Sequence, residues 1–298
     1  MKLCARPAKW QVILILVTGI LAISTGAIFI RGAYTSTGNS GVGFSLVLAA
    51  SRLLIASLML LPTWRYIQWQ RLNKEAVLYA VAAGAFLALH FACWVTSLSY
   101  TSIAASTTLV TTNPIWVTLL SWLWFQEKPS RLQVAGIAIA LIGAILVGFG
   151  NSAESGSNPL LGNLLALFGS WAISLYLLAG RVSQRLGMSI SGYAAIAYST
   201  AGITLLPLPL AFGFGYIGYP KEFYFYILLM AIFPQLVGHT SFNWALRWIS
   251  PTFVTLAILC EPVGASLLGY LIFTEVPGFQ VLLGAVVLLS GVALAAIG

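Results

Sequence analysis

The chain has no aspartate, two histidines and three cysteines among 298 residues, and only 7% of it is charged. Soluble domains carry about 25% charged residues. The polar surface needed to dissolve a chain of this length is missing, so a bilayer must be the solvent for most of it. Without aspartate, aspartyl intramembrane proteolysis is excluded. No H-E-x-x-H zinc motif and no G-x-S-x-G elbow is present either. Cys4, Cys93 and Cys260 lie far apart, two of them in apolar stretches. They suggest neither a disulfide framework nor a metal cluster and read as small buried hydrophobes. No cofactor is expected.

Of the charge that is present, nine Arg and five Lys face six Glu, for a net charge of +8. In a soluble protein this excess would suggest nucleic acid. Here it reads as Lys and Arg held in cytoplasmic loops, and no nucleic-acid partner is expected. Apolar residues make up 60% of the chain, in runs near the roughly 20 residues that a membrane-spanning helix needs. The sequence places ten spans, at 10–31, 42–63, 76–98, 102–125, 131–150, 159–180, 189–212, 223–246, 251–273 and 279–297. Lys2, Arg6 and Lys9 precede the first run, which is too long for a signal peptide and reads as an uncleaved span. The stretch Arg65–Glu75, with Tyr66, Trp69, Arg71 and Lys74, looks interfacial. With the N-terminus inside, Lys2, Arg6, Lys9, Arg65, Arg71, Lys74, Lys128, Arg131, Arg181, Arg185 and Arg247 all fall on the cytoplasmic side. Only Arg31 and Lys221 fall outside, and Arg52 is left within a span. This asymmetry puts both termini in the cytoplasm of a multi-pass cell-membrane protein.

Residues 98–146 align with 246–294 at a shift of 148, with fourteen of 49 positions identical. Pro114/Pro262, Phe125/Phe273, Glu127/Glu275, Pro129/Pro277, Gly136/Gly284 and Gly143/Gly291 are among them. Each repeat holds five spans, an odd number, so the halves must lie upside down relative to each other. The charges agree. Glu127-Lys128-Pro129-Ser130-Arg131 is basic, whereas Glu275-Val276-Pro277-Gly278-Phe279 carries no Lys or Arg. The organisation read here is a cytoplasmic tail at 1–9, a first five-helix repeat at 10–150, an external linker at 151–158 and a second five-helix repeat at 159–298. Inverted repeats are common in secondary transporters, which bind substrate near the midplane between the halves.

With these spans, halves and motifs the chain resembles the drug/metabolite transporter superfamily, specifically the EamA family, over residues 10–297. The resemblance is strongest from Ala105 to Gly143, with Thr112-Asn113-Pro114 and Glu127-Lys128-Pro129. It is equally clear at Leu259-Cys260-Glu261-Pro262-Val263 followed by Thr274-Glu275-Val276-Pro277. It implies an all-α integral membrane fold, a helical basket around a central cavity with spans three, four and six among its walls. It also implies an exporter of amino acids, other metabolites or toxic compounds.

Glu261 lies deep in the ninth span, directly before Pro262. An ionisable group there is costly and usually functional. Asn113-Pro114 is the equivalent kink in the fourth span, and either polar residue could instead satisfy backbone freed by its proline. His90 and His239 occupy nearly equivalent places in the third and eighth spans, with Trp94 and Asn243 four residues on along the same helical faces. A histidine can take a proton near physiological pH or simply bond a neighbouring helix, and no spacing supports a metal site. Arg52 could hold an anionic group such as a carboxylate, or form a structural pair or snorkel. Trp94, Trp116, Trp171 and Tyr176 are mid-span aromatics that could wall a cavity or pack between helices. Gly136, Ala140, Gly143 and Ala144 share one face of the fifth span, and Gly284 and Gly291 repeat it in the tenth, which reads as close helix packing.

The expected substrate site is Ser24, His90, Trp94, Asn113, Trp171, His239, Asn243 and Glu261, with Glu261, His90 and His239 as the proton-coupling candidates. The expected partners are a small-molecule substrate and membrane lipid; a homodimer stays open. The function read from this is a secondary transporter exporting a small metabolite, such as an amino acid or amphipathic compound, by alternating access. An intramembrane lipid-modifying enzyme and a passive channel or facilitator are the alternatives.

Overall fold

The computed structural model describes residues 7–67, 69, 72–101, 103–149, 157–273 and 278–297. Cys4, Lys2, Arg6, Arg71, most of the linker and the Thr274–Pro277 motif lie outside the described residues. The described residues are mostly helical. It runs α1 (Lys9–Ser24), α2 (Gly26–Thr37), α3 (Val42–Met59), α4 (Leu61–Trp64), α5 (Lys74–Ser97), α6 (Ile103–Val110), α7 (Asn113–Phe125) and α8 (Arg131–Phe149). Then come α9 (Pro159–Arg185), α10 (Ile190–Leu205), α11 (Leu208–Ala211) and α12 (Lys221–Met230). A π-helical stretch, Ala231–His239, leads into α13 (Thr240–Ala245), followed by α14 (Pro251–Ile258), α15 (Glu261–Phe273) and α16 (Phe279–Ile297).

Seven helices among the described residues are long and apolar enough to cross a membrane: Lys9–Thr37, Val42–Met59, Lys74–Ser97, Pro159–Arg185, Ile190–Ala211, Lys221–Ala245 and Pro251–Ile272. Arg131–Leu146 and Leu282–Ala295 are shorter apolar helices. Helix starts are set by side chains that accept from otherwise orphaned amides. Asn73 Oδ1 accepts from Glu75 N at 2.9 Å, Asn158 Oδ1 from Leu161 N at 3.2 Å, and Ser250 Oγ from Phe253 N at 3.2 Å. The first helix overruns its expected end at residue 31 and stops at Thr37, where Gly38 adopts a left-handed φ of 67°. Only glycine takes that conformation without strain.

The proline kinks expected at 114 and 262 are full breaks. α6 ends two residues before α7, and α14 two residues before α15, with Asn113-Pro114 and Glu261-Pro262 opening the second half of each helix. Proline lacks an N–H and has a fixed φ, so it suits the start of a helix better than its interior.

Helix pairings come in matching twos. α5 packs along α9 much as α1 packs along the π stretch and α13. α7 meets α9 as α15 meets α1, and α6 lies on α8 as α14 lies on α16. α8 and α16 form the tightest pair through small residues. A Cβ added at Gly136 would strike the Ala295 backbone, one at Gly143 the Leu288 backbone, and one at Gly291 the Ala140 backbone. These contacts make the two helices antiparallel and bring Ile297 to the Arg131 end of α8. On the outer faces, Ile115, Leu119 and Leu123 of α7 are exposed apolar residues, an arrangement suited to lipid.

The two ends of the bundle differ. At one, Glu127 accepts from Arg181 at 2.7 Å and from Arg185 at 3.4 Å, and Arg247 Nη2 donates to Met188 O at 3.2 Å. Gln126 turns the chain there with a φ of 57°, unusual for a side-chain-bearing residue. At the other end hydroxyls knit α2, α3 and the segment after α5 together. Tyr34 Oη bonds Ser45 Oγ at 2.8 Å, Ser45 Oγ bonds Ser99 Oγ at 3.0 Å, and Gly41 N donates to Ser99 Oγ at 3.1 Å.

Candidate functional site

The two helix breaks meet at a buried cavity of about 40 Å³. Its walls are Ile23, Arg52, His90, Trp94, Val110, Thr111, Asn113, Ile173, Leu177, Pro234, His239, Phe242, Ile258 and Glu261. Both halves of the chain contribute. A volume of that size admits a water or two, far below the 300–1,000 Å³ typical of small-molecule sites. The conformation described is therefore contracted around its centre.

The polar groups are arranged in layers. His90 Nδ1 lies 2.9 Å from Gly169 O. A carbonyl only accepts, so Nδ1 carries the proton and Nε2 is bare whenever the ring is neutral. The His90 ring stacks on Trp94 with centroids 5.9 Å apart, and lies 6.3 Å from the His239 ring. Trp94 Nε1 and Asn113 Oδ1 are buried without a hydrogen-bond partner. The Arg52 guanidinium lies 4.1 Å over the Phe91 ring, and its Nη2 donates to Gln235 Oε1 at 3.2 Å. Arg52 and Glu261 face the same cavity within electrostatic reach of each other. Such a pair is unusual at this depth, because an unpaired buried charge is costly.

Of the eight residues expected from sequence, His90, Trp94, Asn113, His239 and Glu261 line this cavity together. Ser24 and Asn243 stand one layer behind. Ser24 Oγ donates to Ile20 O at 2.8 Å and approaches the Glu261 carbonyl at 3.4 Å. Asn243 Nδ2 donates to Tyr176 Oη at 2.5 Å. Trp171 lies apart, half-buried and stacked on Phe168 at 5.5 Å. Arg52 and Thr111 are polar cavity residues missing from the expected set; the signal for Arg52 was a lone Arg inside an apolar run. Among the described residues no group of three or more His, Cys, Asp or Glu could share a metal ion.

A second, wetter hollow of about 430 Å³ opens at the basic end, lined by Glu127, Arg181, Gln184, Arg185 and residues 246–250. Tyr176, whose ring lies 6.2 Å from His239 of the first hollow, holds Asn243, whose backbone carbonyl accepts from Gln184 Nε2 of the second at 3.1 Å.

Comparison with known proteins agrees with this arrangement in two halves. Residues 8–149 and 160–297 each match the EamA-like transporter family. The Bacillus subtilis (strain 168) protein named "Uncharacterized transporter YyaM" is 26% identical over 283 residues, covering 91% of this chain and 89% of its own. The same organism's "Uncharacterized transporter YdfC" is 25% identical over 250 residues, covering 82% and 79%. A solved crystal structure superimposes with a TM-score of 0.73 over 97% of this chain and 98% of that one at 17% identity, a likeness of fold.

Proposed function

The chain belongs to the EamA-like transporter family, and on that premise we propose that this multi-pass membrane transporter carries a small metabolite out of the cell by alternating access. The observation that carries this reading is the meeting of two broken helices, one from each half, at a small cavity lined by Arg52, His90, Asn113, His239 and Glu261 among apolar side chains. Discontinuous helices at midplane supply substrate sites in carriers built from inverted repeats. Ten crossings in two five-helix repeats, 10–150 and 159–298 about the linker 151–158, are supported by the internal sequence match and by the paired helix contacts. Both termini cytoplasmic in the cell membrane is supported by the basic loops gathered at one end.

In this reading the substrate is an amino acid or another small amphipathic compound. His90, Trp94, Asn113, His239 and Glu261 would touch it directly. Ser24 and Asn243 would brace that shell, and Trp171 would serve only in a conformation that opens the cavity. Glu261, with His90 and His239, is the proposed proton carrier. An open channel fits poorly with a hollow of about 40 Å³. The test is counterflow of a metabolite library in liposomes holding the pure protein. Saturable exchange of at least one compound is expected. Flux that never saturates would indicate a facilitator or channel, and chemical turnover of lipid without flux would indicate an enzyme.

A further inference from the structure

Arg52 and Gln235 come from different halves, α3 and the π stretch, and are 1% and 0% exposed. Their one mutual hydrogen bond, from Arg52 Nη2 to Gln235 Oε1, uses the amide oxygen. That fixes the Gln235 orientation, because the reverse would set donor against donor. Arg52 Nε, Arg52 Nη1 and Gln235 Nε2 are all buried without a partner. Three unsatisfied donors on and beside a permanent cation attract one kind of group, an acceptor that also brings negative charge. Phe91 backs the guanidinium plane and steadies its fork. Glu261 shares the cavity, yet the described ion pairs place no carboxylate on Arg52.

Other groups in the lining have the opposite character. Asn113 Oδ1 is a buried acceptor without a partner, and Glu261 stands at the equivalent position of the other half. The cavity thus has both donors and acceptors in its lining, beside the stacked rings of His90 and Trp94.

We propose that Arg52, held in place by Gln235, is the seat for a carboxylate of the transported solute, with any amino group met by Asn113 and Glu261 in the same cavity lining. This inference rests on the transporter reading and narrows its substrate class to carboxylic acids.

The test uses the full-length protein in nanodiscs. Its melting is followed with the proteinogenic amino acids, simple mono- and dicarboxylic acids, and the neutral carboxamide of each, at fixed chloride. At least one acid should raise the melting temperature, and its amide should bind at least about tenfold more weakly. R52K keeps the charge but loses the planar fork and should weaken the acid by at least about tenfold. Q235E is nearly isosteric and places a carboxylate of the protein's own on Arg52. It should raise the ligand-free melting temperature while weakening acid binding, so the inference stays testable should R52K fold poorly. The inference is overturned by equal binding of acid and amide, by acid affinity unchanged in R52K or Q235E, or by failure of every carboxylate while an amine or neutral compound still shows saturable counterflow. That last result would leave the transporter reading standing. Absence of saturable counterflow for every compound would remove both.

Discussion

Asn113 and Glu261 hold equivalent places in the two halves but differ in one respect: only the glutamate can change charge. A carrier that couples solute to protons needs such a group where access alternates, and Arg52 stays charged throughout. Glu261→Gln keeps the shape and removes titration. Proton-driven net flux should fall at least about tenfold while exchange of substrate for substrate survives, measured side by side in liposomes with and without a pH gradient. If both survive with unchanged pH dependence, Glu261 only braces the Pro262 break. Tyr176 offers a milder test. Tyr176→Phe leaves the buried Asn243 amide without its acceptor, a loss of about 1–3 kcal/mol, expected as a lower melting temperature in detergent. The place of Glu261 and Asn113 at the helix breaks was legible in the sequence because each directly precedes a mid-span proline. Gln235 was not. An uncharged amide in an apolar run gives no signal, and its partner lies 183 residues away.

At the scale of helices, the breaks at Pro114 and Pro262 followed from the chemistry of X-Pro. The π stretch Ala231–His239 did not, although Pro234 sits inside it. A proline removes one donor, but whether the helix breaks, kinks or widens to π geometry depends on its neighbours. Here Gly238 packs tightly on Ile23 and Gly26 lies beside Pro234, so tertiary packing decided the outcome. The small-residue stripe was readable in α8 and α16, and its partner was itself: the two stripes face each other. Gly143→Leu should therefore cost about 1–3 kcal/mol or more, because the side chain must displace backbone. Ile142→Leu, on an exposed face of the same helix, should stay within about 0.5 kcal/mol. Parallel melts of the two variants check both.

For the molecule as a whole, the loops at 126–130, 186–189 and 246–250 gather at the basic end, and those at 38–41, 98–101 and 212–220 at the other. Enzymatic reporter fusions placed after Gly218 and after Ile297 should report outside and inside respectively. The reverse at both positions would invert the proposed orientation. Charge asymmetry made this division readable from sequence, whereas the contraction of the central cavity was not, since residue identities do not record how far apart helices stand. α9 adds a consequence of its length. Its 27 residues rise about 40 Å, some 10 Å more than the oily thickness of an ordinary bilayer. At the basic end of this helix Arg185 is exposed while Arg181 and Gln184 are buried among neighbouring side chains, and that tip is the jetty that reaches the headgroups. Lipids with longer acyl tails would draw that jetty under. Each ångström of added thickness costs a fraction of a kcal/mol and falls on the exposed Arg185 at that tip. Turnover should therefore decline from palmitoleoyl to erucoyl phosphatidylcholine vesicles, making bilayer thickness a throttle on this transporter.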